Sequence, residues 1–345
     1  MVQYLKPFQK KDRQMNNTAS NNKNETKKLG IILAVCLIVL IVIAILLIKT
    51  FAPEPVSTPK TQYIELPIKE GISLEEAKAK LLAAGISFEI IPTQSRTPNR
   101  VEKIEYIGKT EGEKALAEVG TAVKLHANEV GNDKIIYLTF DDGPTRDNTF
   151  EILDTLDNCG IVATFFVQGK NVHSYPDRMV ATIERGHLVG CHSYSHEIES
   201  IYTGIPSFMA EVEQYENTMK NAIGEEAFAS ISKVMRFPGG TTTNSMLSRS
   251  EALEYVGAAR ENGYKVYDWT ALTGDAEGYS TAQEFISYMQ EGLASSKANN
   301  KPLIVLLHDK WSTNEALEEI LDFLVSEGYY FDTVDNCPEY TFAEN

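Results

Sequence analysis

Two adjacent carboxylates, Asp141 and Asp142, stand in Thr139-Phe140-Asp141-Asp142-Gly143-Pro144, directly after the apolar run 135–138. Alone, an Asp-Asp-Gly step reads as a turn. Its chemical meaning comes from polar residues further along. His192 and His196 lie four apart in Cys191-His192-Ser193-Tyr194-Ser195-His196, and Arg236 opens Arg236-Phe237-Pro238-Gly239-Gly240. Asp275 closes the stretch that begins at Trp269, and His308 ends Leu306-Leu307-His308. The chain has only six histidines, and three of them belong to this set. Two imidazoles four residues apart, on one helical turn or a tight loop, can face one cation. A carboxylate then completes a three-ligand catalytic metal site with a position left for water. His126, His173 and His187 lack such partners and read as structural or surface residues. The chemistry open to the set is hydrolysis. A metal polarises a carbonyl and acidifies water, a carboxylate takes the water proton, and an imidazolium protonates the leaving group.

These residues can meet only if the elements carrying them are parallel. Apolar runs at 135–140, 161–167, 187–191, 233–236, 264–269, 302–307 and 329–334 alternate with amphipathic stretches at 148–156, 207–223, 281–293 and 314–326. Seven such units predict a largely parallel α/β sheet or barrel covered by helices. Barrel enzymes carry their chemistry at the C-terminal strand ends, so the seven residues should share one rim.

The rest of the chain is organised differently. Its 345 residues allow roughly two domains. The formal charge of −16 is uneven: residues 1–30 carry +5 and the remainder −21. An acidic body repels phosphates, which argues against nucleic acid as a partner. Eighteen uncharged, almost wholly aliphatic residues at 31–48 suffice to cross a bilayer as a helix. They lack the short apolar core and small-residue cleavage site of a signal peptide. With the basic flank on the N-terminal side, 1–29 is expected as a disordered cytoplasmic tail and 30–48 as a single transmembrane helix, with everything beyond it outside the cell membrane. A proline-containing spacer at 49–62 leads to a small α+β unit at 63–128, ordered strand-helix-strand-strand-strand. Ser73 is its helix N-cap, with Glu76 as capping-box partner and Gly85 as the stop. The chemistry-bearing region is 133–342. Cys36 lies in the span and the other three cysteines have no CxxC spacing, so a disulfide framework is not expected.

Over 134–335 the chain resembles the NodB-homology polysaccharide deacetylases, carbohydrate esterase family four. The residues that carry the resemblance are TFDDGP, ATFFVQG at 163–169, HSYSH, RFPGG and LLH, in that order. The resemblance implies a distorted (β/α)7 barrel and one divalent metal ion on Asp142, His192 and His196, zinc first, with cobalt, nickel or manganese as alternatives. Asp141 would be the general base, oriented and charge-balanced by Arg236. His308 would be the general acid, paired with Asp275 and walled by Trp269, and the backbone N–H of Gly239 would help hold the oxyanion. Two departures stand out: Leu272 and Ala276 replace an Asp and a Trp of the family's fourth motif, and Gly239 replaces an aromatic residue of the third. The 63–128 unit resembles a PASTA domain, a family associated with cell-wall muropeptide or β-lactam binding; a plain stalk is the other reading. The implied function is a membrane-anchored, metal-dependent N-deacetylase of a cell-wall glycan, peptidoglycan N-acetylglucosamine above all. The alternatives are a deacetylase of chitin oligomers or xylan, a catalytically inactive wall-binding protein, and a metal-dependent amidase of wall peptides.

Overall fold

The computed structural model describes residues 12–51, 61–93, 95, 98–112, 114–242, 246–279 and 281–345. The chain divides into two compact units between Thr61 and Gln62. In the first, a single helix runs from Asp12 to Phe51. Its Thr26–Thr50 portion, which contains an 18-residue stretch of mean hydropathy 3.8 and has none of its side chains buried, is long and apolar enough to cross a membrane. The helix begins well ahead of the expected span. This corrects the disordered tail over 12–29: once the aliphatic segment is helical, each added residue gains a backbone bond without a new nucleation cost. Residues 1–11 and most of the expected spacer lie outside the described residues.

The second unit opens with β1 (Tyr63–Glu65), the helix Leu74–Ala83, β2 (Phe88–Pro92), β3 (Lys103–Glu105), β4 (Gly108–Glu111), β5 (Lys114–Glu118) and β6 (Val123–Ala127). These strands form two three-stranded sheets, β1-β5-β4 and β2-β6-β3. The Ser73 hydroxyl accepts the Glu76 N–H at 3.2 Å. Glu76 itself reaches forward to Lys80 at 2.8 Å, and Gly85, at φ 70°, follows the helix end. Leu74, Ala77 and Leu81 pack with Val101, Val123 and Leu125 in a core of their own. The β4–β5 hairpin is an addition to the expected strand order. β4 is fully exposed and carries Lys109 and Glu111, and the apolar stretch of β5 is only Ala115-Leu116-Ala117 between Lys114 and Glu118, too short to announce a strand.

Next come β7 (Ile135–Asp141), β8 (Thr164–Val167), β9 (Leu188–Cys191), β10 (Val234–Met235), β11 (Lys265–Val266), β12 (Ala271–Leu272), β13 (Leu303–His308) and β14 (Tyr330–Asp332). They make one parallel sheet, ordered β11-β10-β9-β8-β7-β13-β12, with β14 also on β7. This is an α/β half-barrel of parallel strands, the expected barrel with a distorted seam. The run expected at 264–269 holds only β11, and β12 follows just beyond it; the two lie at opposite ends of the sheet order. The connection between them joins those edges: Tyr267 N–H donates to the Met235 carbonyl and Thr270 N–H to that of Ile304. The strand breaks at Asp268, whose buried carboxylate accepts the N–H groups of Thr241 and Phe342.

Alternation along β7 decides what faces inward. Ile136, Leu138 and Phe140 belong to the core shared with the covering helices, whereas Ile135 and Tyr137 join Phe166, Val234, Tyr267 and Ile304 in a second core. Thr139 and Asp141 continue the Ile135–Tyr137 face, so the strand presents a carboxylate at the top of the barrel interior.

Where β14 ends, Arg100 donates to Thr333 Oγ1 at 2.9 Å and pairs with Asp332, only 2% exposed, at 3.4 Å. Burial holds the Asp332 carboxyl above its ordinary value, and the Arg100 charge opposes that rise. A carboxyl whose folded value is raised favours folding while protonated, and loses that contribution as pH climbs from its unfolded toward its folded value. Arg100→Ala should therefore cost about 1–2 kcal/mol at neutral pH and less at a pH low enough to protonate Asp332. Tm shifts of the two proteins in detergent at both pH values check this; an equal shift at both would contradict it.

Candidate active site

Register brings the expected residues together. Asp141 of β7 is the direct partner of His308 in β13 and of Phe166 in β8. Cys191, just before His192, pairs with Val167 and with Met235, just before Arg236. All these strands are parallel, so their C-terminal ends form one rim.

Arg236 has no solvent exposure. Its Nε donates to the Tyr267 carbonyl at 3.0 Å, and its Nη2 to that of Asp268 at 3.2 Å. Nη1 donates to Thr139 Oγ1 at 2.7 Å and to Asp141 Oδ1 at 2.9 Å. The guanidinium also lies over the Phe166 ring, 4.4 Å from its centre. One Asp141 oxygen is thereby fixed, and the other, Oδ2, lies 3.7 Å from His192 Nε2.

Asp142, His192 and His196 each offer one ligand atom, all within 4.8 Å of one another. His192 Nδ1 lies 2.9 Å from the Arg236 carbonyl, which can only accept, so this nitrogen carries the proton and Nε2 keeps its lone pair. Nε2 of His192 and of His196 lie 3.7 and 3.4 Å from Asp142 Oδ1. Gln168 donates to the same oxygen at 2.6 Å, and Asn171 donates to the Asp142 carbonyl at 2.8 Å. The histidine loop is braced by Glu211, which accepts the N–H groups of Tyr194 and Ser195, and by Ser193 Oγ, which accepts that of His196. Burial raises the Asp142 carboxyl, but the charges of His192, His196 and His308 outweigh it and hold the group below its ordinary value. Burial, followed by the His192 charge, lowers His196. Deprotonated carboxylate and imidazole are the forms that ligate a cation, so this donor set fits a divalent metal.

Across the rim, His308 Nδ1 meets Asp275 Oδ1 at 2.8 Å, while the His308 N–H and Thr313 Oγ1 both donate to Asp275 Oδ2. Burial raises the Asp275 carboxyl, yet the His308 hydrogen bond and charge bring it below its ordinary value. Burial lowers His308, but the bond and charge of Asp275, then the charges of Asp141 and Asp142, carry it above the ordinary histidine value. This arrangement can hold a proton on the imidazole opposite a carboxylate fixed by arginine.

Gly239 adopts φ 76° in the turn after Arg236, a turn held by the Tyr202 hydroxyl on the Pro238 carbonyl at 3.0 Å. Trp269 is placed otherwise than expected. Ala271 pairs with Val305 and Leu272 with Leu306, so Trp269 is level with Leu303, five residues or roughly 16 Å of strand before His308. Its ring packs edge-on against Phe342, 5.1 Å between centres, and lies 5.8 Å from the Arg236 guanidinium.

Three polar residues escaped the sequence reading. Gln168 is the first polar residue after the run ending at Val167, the same strand-end signal that marked Asp141. Asp309, buried beside His308, accepts from Thr145 Oγ1 and Thr149 Oγ1 at 2.8 and 2.6 Å, and its N–H donates to the Asp141 carbonyl at 2.8 Å. A Cβ at Gly143 would lie 2.6 Å from Asp309 Oδ2, so this turn needs glycine. Asp268 supports Arg236 through its backbone, and no local pattern distinguishes it from a surface aspartate.

The polysaccharide deacetylase family matches residues 128–258. Two Bacillus cereus proteins named peptidoglycan-N-acetylglucosamine deacetylase are similar to the chain. One is 28% identical over 73% of this chain and 88% of its own length. The other is 30% identical over 61% of this chain and 90% of its own. The solved catalytic domain of peptidoglycan N-acetylglucosamine deacetylase from Eubacterium rectale is 30% identical with a TM-score of 0.51, covering 61% of this chain and 90% of that one.

Residues that orient a ligand typically set metal affinity by tenfold or more. Gln168→Leu is expected to weaken Zn2+ binding about 10- to 100-fold, and His192→Ala to abolish it, in equilibrium dialysis of the full chain in detergent. Unchanged affinity in Gln168→Leu would mean that Gln168 does not orient Asp142.

Proposed function

This chain belongs to the polysaccharide deacetylase family, and on that premise we propose that it removes N-acetyl groups from a cell-wall glycan, peptidoglycan N-acetylglucosamine above all. The observation that carries the reading is the convergence of Asp142, His192 and His196 within 4.8 Å, beside Asp141 and His308 as strand partners. The names of the Bacillus cereus and Eubacterium rectale relatives favour peptidoglycan over other polymers.

A divalent cation, zinc first, held by Asp142, His192 and His196 would supply Lewis acidity to the amide oxygen and acidity to water. Asp141, with Oδ1 committed to Arg236, uses Oδ2 to take the proton of the attacking water. Water oxygen bonds to the acetyl carbon, and the backbone N–H of Gly239 is the donor we assign to the adduct's oxygen. His308, its Nδ1 turned to Asp275, gives the proton on Nε2 to the departing nitrogen. The carbon–nitrogen bond breaks, leaving acetate and a free amine.

We assign the anchor to Thr26–Thr50, with the basic N-terminal flank in the cytoplasm and the barrel at 133–342 facing the wall. The unit at 63–128 then serves as a spacer that can also contact peptidoglycan.

Acetate release from N-acetylglucosamine oligomers and from purified wall tests the reading. The full chain should release acetate and lose that activity with a chelator. Asp141→Asn should lower turnover by about 100-fold or more and His308→Ala by a similar factor. Free peptide from wall without acetate would instead identify an amidase.

The acid must hold its proton, so the rate should fall as pH rises through the elevated value of His308. Asp275→Asn removes the main cause of that elevation, and the basic limb of the kcat profile should move to lower pH. A basic limb left in place would remove Asp275 from this role.

A further inference from the structure

On the flank of the barrel, a cavity of about 470 Å³ opens between the helix Ala282–Ala298 and the seam joining β11 to β12. It takes in none of Asp141, Asp142, His192, His196 and His308. We propose that it is a second glycan-binding site, which takes a neutral N-acetylhexosamine ring of the polymer whose other residues are deacetylated at the rim. The choice of polymer rests on the deacetylase reading; the cavity itself does not.

Three features select a sugar. Aromatic side chains of Trp269, Tyr288 and Phe342 line the space, and the C–H faces of a pyranose pack against such rings. Exposed polar side chains of Glu291, Ser295 and Lys301 also line it, offering hydrogen bonds to hydroxyl and acetamido groups. The one acid and one base offset each other, so neither an anion nor a cation is favoured, which suits an uncharged ring. The volume lies in the range of small-molecule sites, about 300–1,000 Å³.

The site is built into the seam. Gly292 approaches so closely that an added Cβ would lie 2.8 Å from Ala271 Cα. Lys301 is held in place by its Nζ on the Tyr340 hydroxyl at 3.0 Å. Tyr288, Glu291 and Ser295 thus stand on a helix packed against β12, which lowers the ordering cost of binding, while Trp269, Lys301 and Phe342 come from the segments beside it.

Of the chain's two tryptophans, Trp269 lines the cavity and Trp311 does not. In Trp311→Phe, full chain in detergent, Trp269 is the sole indole. Titration with a β-1,4-linked N-acetylglucosamine tetramer in the presence of chelator, which leaves the metal site empty, should give a saturable change in its emission. In that background, Glu291→Ala should raise Kd roughly three- to tenfold, and Ser295→Phe, which fills the space, should abolish the change. In the otherwise native chain, both variants should raise KM on polymeric wall and leave turnover of a trisaccharide unaltered. No saturable change, or one indifferent to both substitutions, overturns the proposal. Absence of any acetate release with a normal titration would sink the deacetylase reading and leave the cavity a glycan site.

Discussion

A guanidinium sealed from water and gripping one oxygen of a carboxylate sets the terms for this barrel. Burying the Arg236–Asp141 pair is costly, and such pairs are weak contributors to stability compared with apolar packing. The cost is contained because Arg236 is satisfied on several sides: by the carbonyls of Tyr267 and Asp268, by Thr139 Oγ1 and by Asp141. Those partners come from β7 and from the connection that follows β11. The pair thus ties the middle of the sheet to its seam, and fixes which Asp141 oxygen is available. Removing either member would strand the other as a buried charge.

Around that pair the charges sort themselves by mutual influence. Asp142 is held low partly by His308, and His308 is held high partly by Asp141 and Asp142. Each side of the rim stabilises the ionised form of the other. Asp275 strengthens the asymmetry from behind His308 and is anchored by Thr313. A parallel sheet is what makes this possible, because it delivers every strand end, and its polar residue, to the same edge.

Much of this was readable from residue order. Apolar runs ending in Asp141, His192, Arg236 and His308 marked strand ends, and their parallel alternation with helices implied the rim. What escaped has physical causes. The β4–β5 hairpin carries charge on both strands, and its apolar signature is three residues, Ala115-Leu116-Ala117. The break between β11 and β12 depends on Asp268 bonding Thr241 and Phe342, partners far away in sequence. Trp269 was misplaced because motif order conveys which residues belong to a region, while register decides how far along a strand each one sits. The helix before the expected membrane span shows that a polar composition does not prevent propagation from an apolar neighbour.

Asp142 and His196 hold left-handed backbone, at φ 73° and 61°, as does Ser193 at 62°. For residues of these types the conformation costs on the order of 1 kcal/mol each, and the surrounding bonds to Gln168, Asn171 and Glu211 offset it. Glycine would relieve the tension at either donor position but delete the donor. At Asp142 it would also strip the Gln168 amide of the carboxylate oxygen it donates to, so the strained backbone and the side chain it carries are bound to one another.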